Sequence, residues 1–375
     1  MKEKQVIYGN ENLALAPIKY EYAWQFYENG KKNFWIPQEI AVAEDVASFK
    51  HDLNDTQRHI FTHVFAQLST MDIAAGDFVN HLAIELTSPE HKIALSTQAF
   101  QEATHSESYK YCADHIGLDE RWLWNRWEEV PEIKAKIDMT SEILGQYTAT
   151  GDPMEFINAY FFLAGIFEST WFLTGFFPIF ALANMGKVLR VSEVLQYIAR
   201  DEYNHVSLGL NTITSIIQEQ FDPDDTSMIA EDFSALANRA MKLEEDYINF
   251  IFSKGEIIGY SPKKHMQFAW FRIFHAFNKL KLTTEHLDCN VTPEAVSWAD
   301  TMLNTRKLKN FFESRVIEYM KTHLDYTEEL ETSNYGYWDD PINPKDFGSL
   351  ADVGTKAEKI EGKICSLEEG CEVCQ

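Results

Sequence analysis

The chain has 375 residues and a formal net charge of −25, and 45% of its residues are hydrophobic and 14% aromatic. This apolar content can fill a large core and excludes a wholly disordered chain. The negative charge argues against nucleic acid or an anionic membrane surface as a partner, because both would repel it. Five cysteines are too few for a disulfide scaffold, and residues 1–6 lack the apolar stretch of a secretory signal. We therefore expect a cytoplasmic protein.

Long helical patterns follow one another along the chain, and strand-like alternation is nearly absent. Ser88 and Pro89 are suited to the start of one helix, and Gly117 to the left-handed position after its end. A stretch rich in tryptophan follows this helix and is left unassigned. The predicted helices cover about residues 18–34, 54–82, 89–116, 153–185, 191–218 and 222–252, and another begins at 262. The fold class is therefore all-α.

Residues 156–185 are apolar almost throughout and could span a bilayer by length. However, Glu168 lies in the middle of the stretch and Pro178 interrupts it. A helix that is apolar on every side can also be the central helix of a large soluble bundle. We therefore predict a buried core helix and no membrane span.

The composition changes near residue 325, where the chain becomes polar and rich in Gly, Asp, Glu and Lys. Such a segment has too little periodic apolar content to build a packed core. We therefore predict a helical domain over residues 1–324 and a flexible C-terminal tail over residues 325–375.

Two Glu-x-x-His motifs occur on separate predicted helices, Glu102 with His105 and Glu202 with His205. Residues three positions apart share one face of a helix, so each motif presents a carboxylate and an imidazole together. Ferritin-like dinuclear carboxylate proteins combine two such motifs with one carboxylate from each of two further helices. The sequence therefore predicts a helical bundle that holds two metal ions.

The two remaining carboxylates are predicted from their surroundings. An ionised Glu168 in its apolar helix would be very costly unless it met a cation. Asp72 is the choice on the helix at 54–82, with Asp77 as the competing residue. Ligands that are mostly oxygen, with one imidazole per ion, suit iron or manganese. We expect an Fe/Fe centre, with Mn/Mn and Mn/Fe as alternatives, held by Asp72, Glu102, His105, Glu168, Glu202 and His205.

At these motifs the sequence resembles the small, radical-generating subunit of class I ribonucleotide reductase. Tyr109 follows His105 by four residues, as a tyrosine follows a ligand histidine in that family. Residues 198–205 resemble its Ala-Arg-Asp-Glu-x-x-His signature, and residues 33–39 its Phe-Trp-x-Pro-Glu-Glu segment. Residues 309–319 resemble the end of its helical body. The resemblance covers about residues 18–320 and implies a ferritin-like bundle with additional helices.

The resemblance also implies an activity. The dimetal centre reacts with oxygen, or with an oxidant derived from it, and oxidises Tyr109 to a stable radical. The oxidising equivalent then passes to a large catalytic (alpha) subunit that reduces ribonucleotides to deoxyribonucleotides. The family further implies a homodimer. Whether the substrate is a diphosphate or a triphosphate, and whether a flavoprotein supplies the oxidant, stays open.

The family implies roles for several other residues. Trp35 and Asp201 would begin the transfer path, with Asp201 bonded to both Trp35 and His105. Tyr319 would pass the radical across the subunit interface. Its rivals in the region that follows are Tyr326, Tyr335 and Tyr337.

Tyr109 lies one helical turn beyond His105 on the same face, so its hydroxyl can approach the metal ligands. A tyrosyl radical lasts only where water and reductants are excluded. We expect an apolar wall from side chains that lie one or two turns from Glu168 and Glu202 on the same helix faces. Its predicted members are Phe172, Phe176 and Ile198.

The end of the chain departs from the family pattern. Small subunits of the family end in an acidic and aromatic peptide that docks on the large subunit, and residues 337–340 are the candidate for it. Here the chain continues to Cys365, Cys371 and Cys374, which resembles the end of the family's large subunit. Three interpretations stay open. The tail is a dithiol shuttle of Cys371 and Cys374 with the partner or with a reductant of the thioredoxin or glutaredoxin type, or it binds a metal, or it is an inert extension.

Two other functions could use the same ligands. A dimetal oxidase or hydroxylase would act on its own apolar substrate and would need an open pocket beside the metals. A ferritin-like metal store would be a short four-helix chain that assembles into a cage, without Trp35 or the long tail.

Overall fold

A computed structural model describes residues 13–147, 152–289 and 296. Within them the regular structure is helical, apart from one isolated antiparallel bridge, and the predicted all-α fold is confirmed. The predicted tail, residues 325–375, lies outside the described residues. The α-helices of the described part are α1 (Glu21–Lys32), α2 (Asp55–Glu85), α3 (Pro89–Ile116), α4 (Glu120–Glu129), α5 (Pro131–Tyr147), α6 (Pro153–Phe161), α7 (Leu173–Asn184), α8 (Leu189–Gln220), α9 (Thr226–Ile251) and α10 (Pro262–Leu280).

The ends of the long helices follow from the residues at their termini. Asn54 and Gln57 form a reciprocal capping box at the start of α2. The Ser88 side chain caps α3 by accepting a hydrogen bond from the backbone N–H of His91. Gly117 ends α3 with φ of 76°, a left-handed conformation that glycine adopts without steric cost. The predicted limits of α3 are confirmed.

The tryptophan-rich stretch left unassigned from the sequence forms α4 and the start of a second helix, α5. Asp119 caps α4 by accepting from the backbone N–H of Trp122, and Pro131 is the first residue of α5. Of the residues in α4 only Leu123 is buried, so the helix shows little of the apolar periodicity that marks a helix in a sequence.

The apolar stretch is a single long helix, Pro153–Asn184, and its most hydrophobic window is entirely buried. It is a core helix of the bundle, as predicted. Its middle, Phe162–Phe172, is a π-helix rather than the α-helix expected from the sequence. In a π-helix each backbone N–H bonds five residues back instead of four, and such wide turns occur often at functional sites.

Four elements form the core of the bundle: α2, α3, the central helix (α6, the π-helix and α7) and α8. The central helix packs on α8 at Gly209, where an added Cβ would lie only 2.3 Å from the Cβ of Ala164. The glycine therefore lets the two backbones approach closely. Helices α9 and α10 pack on the π-helix, and α1 packs on α3 and α8.

Candidate metal centre

Four elements bring the six predicted ligand residues together in the interior. Each of the six residues is at most 1% exposed. Asp77, the competing choice on α2, has a side chain that is 65% exposed and lies 3.6 Å from His81. The structure therefore distinguishes between the two aspartates. The buried cluster takes Asp72 from α2, Glu102 and His105 from α3, Glu168 from the π-helix, and Glu202 and His205 from α8.

The cluster divides into two overlapping groups of possible ligand atoms, each drawn from three carboxylates and one imidazole. Within each group the ligand atoms lie within 4.8 Å of one another. Asp72 and His105 belong to one group only, and Glu168 and His205 to the other. The remaining two carboxylates belong to both groups, so they are the ones placed to bridge two ions. They are Glu102 and Glu202.

Both imidazoles present Nδ1 to the carboxylates. His105 Nδ1 lies 3.1 Å from Glu202 Oε1 and 3.3 Å from Asp72 Oδ1. His205 Nδ1 lies 3.1 Å from Glu102 Oε1. With this orientation the second nitrogen, Nε2, of each ring is free to bond a supporting side chain, an arrangement that fixes a ligand histidine.

The supporting side chains differ between the two imidazoles. His105 Nε2 lies 3.4 Å from Asp201 Oδ2, whereas His205 Nε2 lies 3.0 Å from Gln101 Oε1. A second glutamine, Gln98, donates to Glu168 Oε1 at 2.6 Å. The sequence interpretation did not include Gln98 or Gln101. The spacing of Gln98 could have indicated its role, because it precedes the predicted ligand Glu102 by one helical turn on the same face of α3.

Several ligand atoms of the cluster are buried and form no hydrogen bond within the described part of the chain. They are Asp72 Oδ2, Glu102 Oε1 and Oε2, Glu168 Oε2, Glu202 Oε1 and His205 Nδ1. Buried polar atoms without partners are rare and costly, so each needs an explanation. Two cations at this cluster would satisfy these atoms and balance four carboxylates. The residues therefore fit a dinuclear centre with oxygen-rich ligands.

The electrostatics of the cluster show competition for protons. Burial raises the pKa of Asp72 and Glu168 well above the ordinary range of carboxyl groups. Burial has the same effect on Glu102, but the imidazoles of His205 and His105 outweigh it and lower its pKa to about 2. Burial alone would lower the pKa of His105 and His205. The surrounding carboxylates have the larger effect, and the pKa of each imidazole is raised. Bound cations would replace the protons held here.

Glu168 is held by contacts on both sides of the π-helix. Besides Gln98, the buried guanidinium of Arg272 on α10 donates from Nε to the carbonyl oxygen and to Oγ of Ser169, each at 3.2 Å. Arg272 Nη1 also lies 3.4 Å from the hydroxyl of Tyr203, next to Glu202 on α8. Arg272 thus contacts Ser169, which follows Glu168, and Tyr203, which follows Glu202.

Tyr109 lies fully buried on α3, one turn beyond His105. Its hydroxyl oxygen forms no hydrogen bond of ordinary geometry within the described residues. Burial, together with the negative charge of Asp72 and Glu202, raises its pKa well above 10. The ring of Phe65 contacts it edge to face at 5.3 Å between centroids. The phenol is therefore held protonated next to the cluster.

Trp35 and Asp201 are in direct contact. Trp35 Nε1 donates to Asp201 Oδ2 at 2.8 Å, and the same oxygen is the one near His105. Arg200 also pairs with Asp201, through Oδ1 at 3.1 Å. Burial raises the pKa of Asp201, but Arg200, His105 and Trp35 outweigh burial and lower it. Tyr319, Cys371 and Cys374 lie outside the described residues.

The interior around the cluster is tightly filled. The predicted wall residues Phe172, Phe176 and Ile198 are all fully buried. A cavity of about 20 Å³ borders Trp35, Gln101 and Asp201, which is room for one water molecule. A larger space of about 650 Å³ is a surface groove next to Phe34 and Phe100, and none of the six cluster residues borders it.

Comparison with known proteins identifies the family. The sequence model described as "Ribonucleotide reductase, small chain" matches residues 12–287. The chain belongs to this family. A curated small chain of ribonucleotide reductase, the ribonucleoside-diphosphate reductase subunit beta of Chlamydia pneumoniae, is 30% identical over 325 residues, which cover 81% of this chain and 89% of that relative.

Solved structures share the fold of this ribonucleotide reductase small chain. The R2 subunit from Clostridium botulinum matches with a TM-score of 0.68 and 23% identity, over 76% of this chain and 89% of that one. An R2-like ligand-binding oxidase, described with an aerobically reconstituted Mn/Fe cofactor, matches with a TM-score of 0.62 and 18% identity, over 71% and 94% of the two chains. The predicted ferritin-like helical bundle is confirmed.

Proposed function

We propose that this ribonucleotide reductase small chain generates and stores an oxidising equivalent as a radical on Tyr109. The observation that carries the proposal is the fully buried phenol of Tyr109 beside a cluster of four carboxylates and two imidazoles, several of whose ligand atoms form no hydrogen bond in the described residues. When two redox-active ions are bound, such a centre supplies an oxidant for a phenol. Iron in both positions is the first expectation, and manganese in one or both positions is the alternative.

The chain's own residues would divide the work of holding the two ions. Asp72 and His105 would hold one ion, and Glu168 and His205 the other, because each pair belongs to only one of the two ligand groups. The shared carboxylates, Glu102 and Glu202, would contact both ions. Gln101 and Asp201 would fix the orientation of the imidazoles through Nε2.

The surroundings of Tyr109 would preserve the radical by excluding water. The ring is fully buried against Phe65, and the wall residues Phe172, Phe176 and Ile198 are buried as well. Oxidation of Tyr109 removes one electron and leaves a phenolic proton that needs an acceptor. Asp72 on the neighbouring helix α2 interacts with this phenol, so its carboxylate is the candidate acceptor.

Transfer of the oxidising equivalent to the partner would begin at Trp35. The indole N–H donates to Asp201, whose carboxylate adjoins His105, so a continuous polar path joins Trp35 to a ligand of the centre. Trp35 is 5% exposed, and its ring stacks against Tyr197 with centroids 5.2 Å apart. Asp201 can take part in moving a proton along with the electron because it contacts both neighbours.

The partners follow from membership of the family. We propose a large catalytic subunit as the acceptor of the oxidising equivalent, a homodimer of this chain, and a cytoplasmic location. Tyr319 at the subunit interface and the Cys371–Cys374 pair, as a dithiol exchanging with the partner or with a thioredoxin- or glutaredoxin-type reductant, are further proposals that lie in the part of the chain the structure does not describe.

A dimetal oxidase with its own substrate is less well supported. Substrate pockets of enzymes usually measure about 300–1,000 Å³. The cavity of about 20 Å³ beside Asp201 is far smaller, and the groove of about 650 Å³ is bordered by none of the six ligand residues. A phenol held in a closed interior suits a stored radical better than a substrate that enters and leaves.

An electron paramagnetic resonance experiment tests the proposal. Metal-free protein is loaded with ferrous iron, or in parallel with manganese, and exposed to oxygen. We expect a stable tyrosyl signal that Tyr109→Phe removes and that Tyr160→Phe, a matched change at another buried tyrosine, leaves in place. Metal content is measured on the same samples. An unchanged signal in Tyr109→Phe with two ions bound would contradict the assignment.

A further inference from the structure

A second buried polar cluster lies outside the metal centre, and we call it the Glu244 cluster. It consists of Lys136 on α5, Glu244 on α9, His265 on α10 and Tyr260 in the connection between α9 and α10. None of the four residues is more than 1% exposed. No role in the proposed function requires them, and fully buried lysine and glutamate are uncommon unless paired.

Hydrogen bonds connect the four side chains in one order. Lys136 Nζ and His265 Nε2 both contact the carboxylate of Glu244, and the hydroxyl of Tyr260 lies 2.8 Å from His265 Nδ1. A neutral imidazole satisfies both of its neighbours when it carries its proton on Nε2. His265 then donates to Glu244 and accepts from Tyr260. The phenolic proton of Tyr260 thus points at an unprotonated nitrogen.

This arrangement is that of a tyrosine paired with a base. Removing an electron from a phenol makes its proton strongly acidic, so oxidation is easiest where the proton has a nearby acceptor. His265 is such an acceptor, and the carboxylate of Glu244 on its far side would stabilise the imidazolium that forms. Lys136 balances the charge of Glu244 in the resting state.

Two other tyrosines lack the arrangement at Tyr260, in which the hydroxyl contacts an imidazole whose other nitrogen contacts a carboxylate. Tyr247 is equally buried and has the Lys136 ammonium 4.1 Å from its ring centroid, but its hydroxyl has no hydrogen-bond partner within the described residues. Tyr22 is only partly buried, and although it lies 2.9 Å from His91 Nε2, the other nitrogen of that ring contacts the hydroxyl of Ser88 rather than a carboxylate.

The Glu244 cluster adjoins the metal centre through two helices. Thr174 Oγ1 lies 3.4 Å from Glu244 Oε1, and Thr174 follows Glu168 by six residues on the central helix. Lys136 Nζ donates to Gln67 at 3.2 Å, and Gln67 precedes Asp72 by five residues on α2. At about 1.5 Å of rise per residue these separations are roughly 9 Å and 8 Å along the two helix axes.

Packed aromatic rings fill the space between the two sites. A series of rings begins at the wall residue Phe172. Successive ring centroids lie 6.0–6.1 Å apart, and the ring before Tyr260 stacks on it with its plane inclined by 14°. The series is Phe172, Phe176, Phe180, Phe177 and Tyr260. An electron can therefore pass between the sites through closely packed protein.

We propose that Tyr260 is a second redox-active tyrosine, which takes an oxidising equivalent from the dinuclear centre when Tyr109 cannot accept it. The inference rests on the proposed function of the centre. One electron leaves Tyr260 to reduce the oxidant, the Oη–H bond breaks, and the proton forms an N–H bond at His265 Nδ1. The products are a neutral tyrosyl radical and an imidazolium paired with Glu244. Reduction of the radical returns the proton to Tyr260.

Such a site would draw excess oxidising power away from the aromatic core around the metals. The phenylalanine rings near Glu168 have no acidic proton, and the indole N–H of Trp171 faces the carbonyl oxygen of Ala240 rather than a base. An oxidant trapped among these rings would modify them irreversibly. Tyr260 offers a reversible alternative.

The test uses Tyr109→Phe protein loaded with iron and exposed to oxygen, with electron paramagnetic resonance as the readout. Deuterated tyrosine in a parallel sample identifies a tyrosyl signal by its narrowing. We expect a transient tyrosyl signal in Tyr109→Phe that is absent in Tyr109→Phe/Tyr260→Phe. The matched control, Tyr109→Phe/Tyr247→Phe, should keep the signal, because Tyr247 has no proton acceptor.

A second variant tests the role of the base. In Tyr109→Phe/His265→Gln the amide can still donate to Glu244 and accept from Tyr260, but it cannot take up a proton. We expect the signal to fall about tenfold or more, a cost typical of losing a positioned base. Urea unfolding of each variant verifies that it is folded.

The outcomes separate the inference from the proposed function. A normal Tyr109 signal in the wild-type chain, together with no tyrosyl signal in Tyr109→Phe, would overturn the role of Tyr260 alone. A second signal that survives Tyr260→Phe and disappears with Tyr22→Phe would also overturn it. If no variant forms a tyrosyl radical although two ions are bound, both proposals are wrong.

Discussion

The two buried polar clusters of this bundle differ in how their charge is balanced. The metal centre combines four carboxylates and two imidazoles, and several of its oxygen atoms have no partner within the described residues. The Glu244 cluster has one carboxylate, and that carboxylate contacts Lys136, His265 and Thr174. The first cluster needs cations from outside, whereas the second is satisfied by the protein alone.

The pKa shifts follow from the same difference. Burial raises the pKa of Glu168 well above the ordinary range, because the neighbouring carboxylates add to the cost of ionising it. Burial would raise the pKa of Glu244 as well, but Lys136 and His265 outweigh it and lower the value to about 2. At equal burial the surroundings thus favour the protonated form of Glu168 and the ionised form of Glu244.

The largest expected effect is the loss of stability on neutralising Glu244. Glu244→Gln leaves the Lys136 ammonium buried without its counter-charge, and breaking a buried pair in this way costs about 3–5 kcal/mol. Urea unfolding of the metal-free protein at neutral pH measures it. Glu168→Gln is the matched control and should change the free energy of unfolding by less than about 1 kcal/mol, since burial disfavours the charged form of Glu168 and the amide is likewise uncharged. Equal losses in both variants would contradict the comparison.

Metal binding should make the two substitutions similar in their total cost to stability. Ions that bind only the folded state, present at about 1,000 times their dissociation constant, stabilise it by about 4 kcal/mol. We expect a gain of this size in the wild-type chain and most of it lost in Glu168→Gln, which lacks one ligand carboxylate. Glu244→Gln should keep the gain, although it starts from a lower stability. Thermal unfolding with and without added ferrous or manganous ion, under anaerobic conditions, gives the comparison.

The smallest effect is a change of stability with pH in the metal-free protein. The carboxyl groups of Asp72 and Glu168 have a raised pKa. Their contribution to the free energy of unfolding is therefore lost as the pH rises above their unfolded pKa values of 3.8 and 4.5. The pKa values of His105 and His205 are also raised. The two imidazoles stabilise the fold fully below pH 6.5, their unfolded pKa, and this contribution is lost as the pH rises through their pKa values in the folded protein. These four groups therefore bind more protons in the folded protein than in the unfolded chain.

Both effects have the same sign. Buried histidines with a lowered pKa, such as His63 and His91, oppose them below pH 6.5 but are neutral in both states above it, so the free energy of unfolding should fall between about pH 7 and pH 8. Each extra bound proton contributes about 1.4 kcal/mol per pH unit. Glu244, with its low pKa, is ionised throughout this range and adds no slope. Bound metals should reverse the trend, because the ligands bind as deprotonated groups. Greater stability of the metal-free protein at pH 8 than at pH 7 would show that the assigned directions are wrong.

Much of the metal centre could be predicted from the sequence because its signals are local. The spacing of Glu102 and His105, and of Glu202 and His205, follows from the helical repeat, and Glu168 is conspicuous as a charge in an apolar helix. The choice between Asp72 and Asp77 was not local. It depends on which face of α2 meets α3, and only the fold gives that.

The remaining features depend on contacts between distant parts of the chain. Glu244 and Lys136 are 108 residues apart, and each alone resembles a surface charge on a helix. The contact of Arg272 with Ser169 spans 103 residues. The π-helix left no sign in the apolar pattern, because a segment that is buried on every side has no periodicity from which the number of residues per turn could be deduced.

The wide turns of the π-helix also affect how this chain can tolerate change in its length. A π-helix accommodates an additional residue within an otherwise regular α-helix. Deleting one residue between Phe162 and Phe172 could therefore be absorbed by a tighter α-helix without breaking the rod. The tightened turns would, however, rotate Glu168 relative to the α-helical segments on either side of it. Evolution or design could in this way re-aim a single carboxylate while leaving the bundle standing.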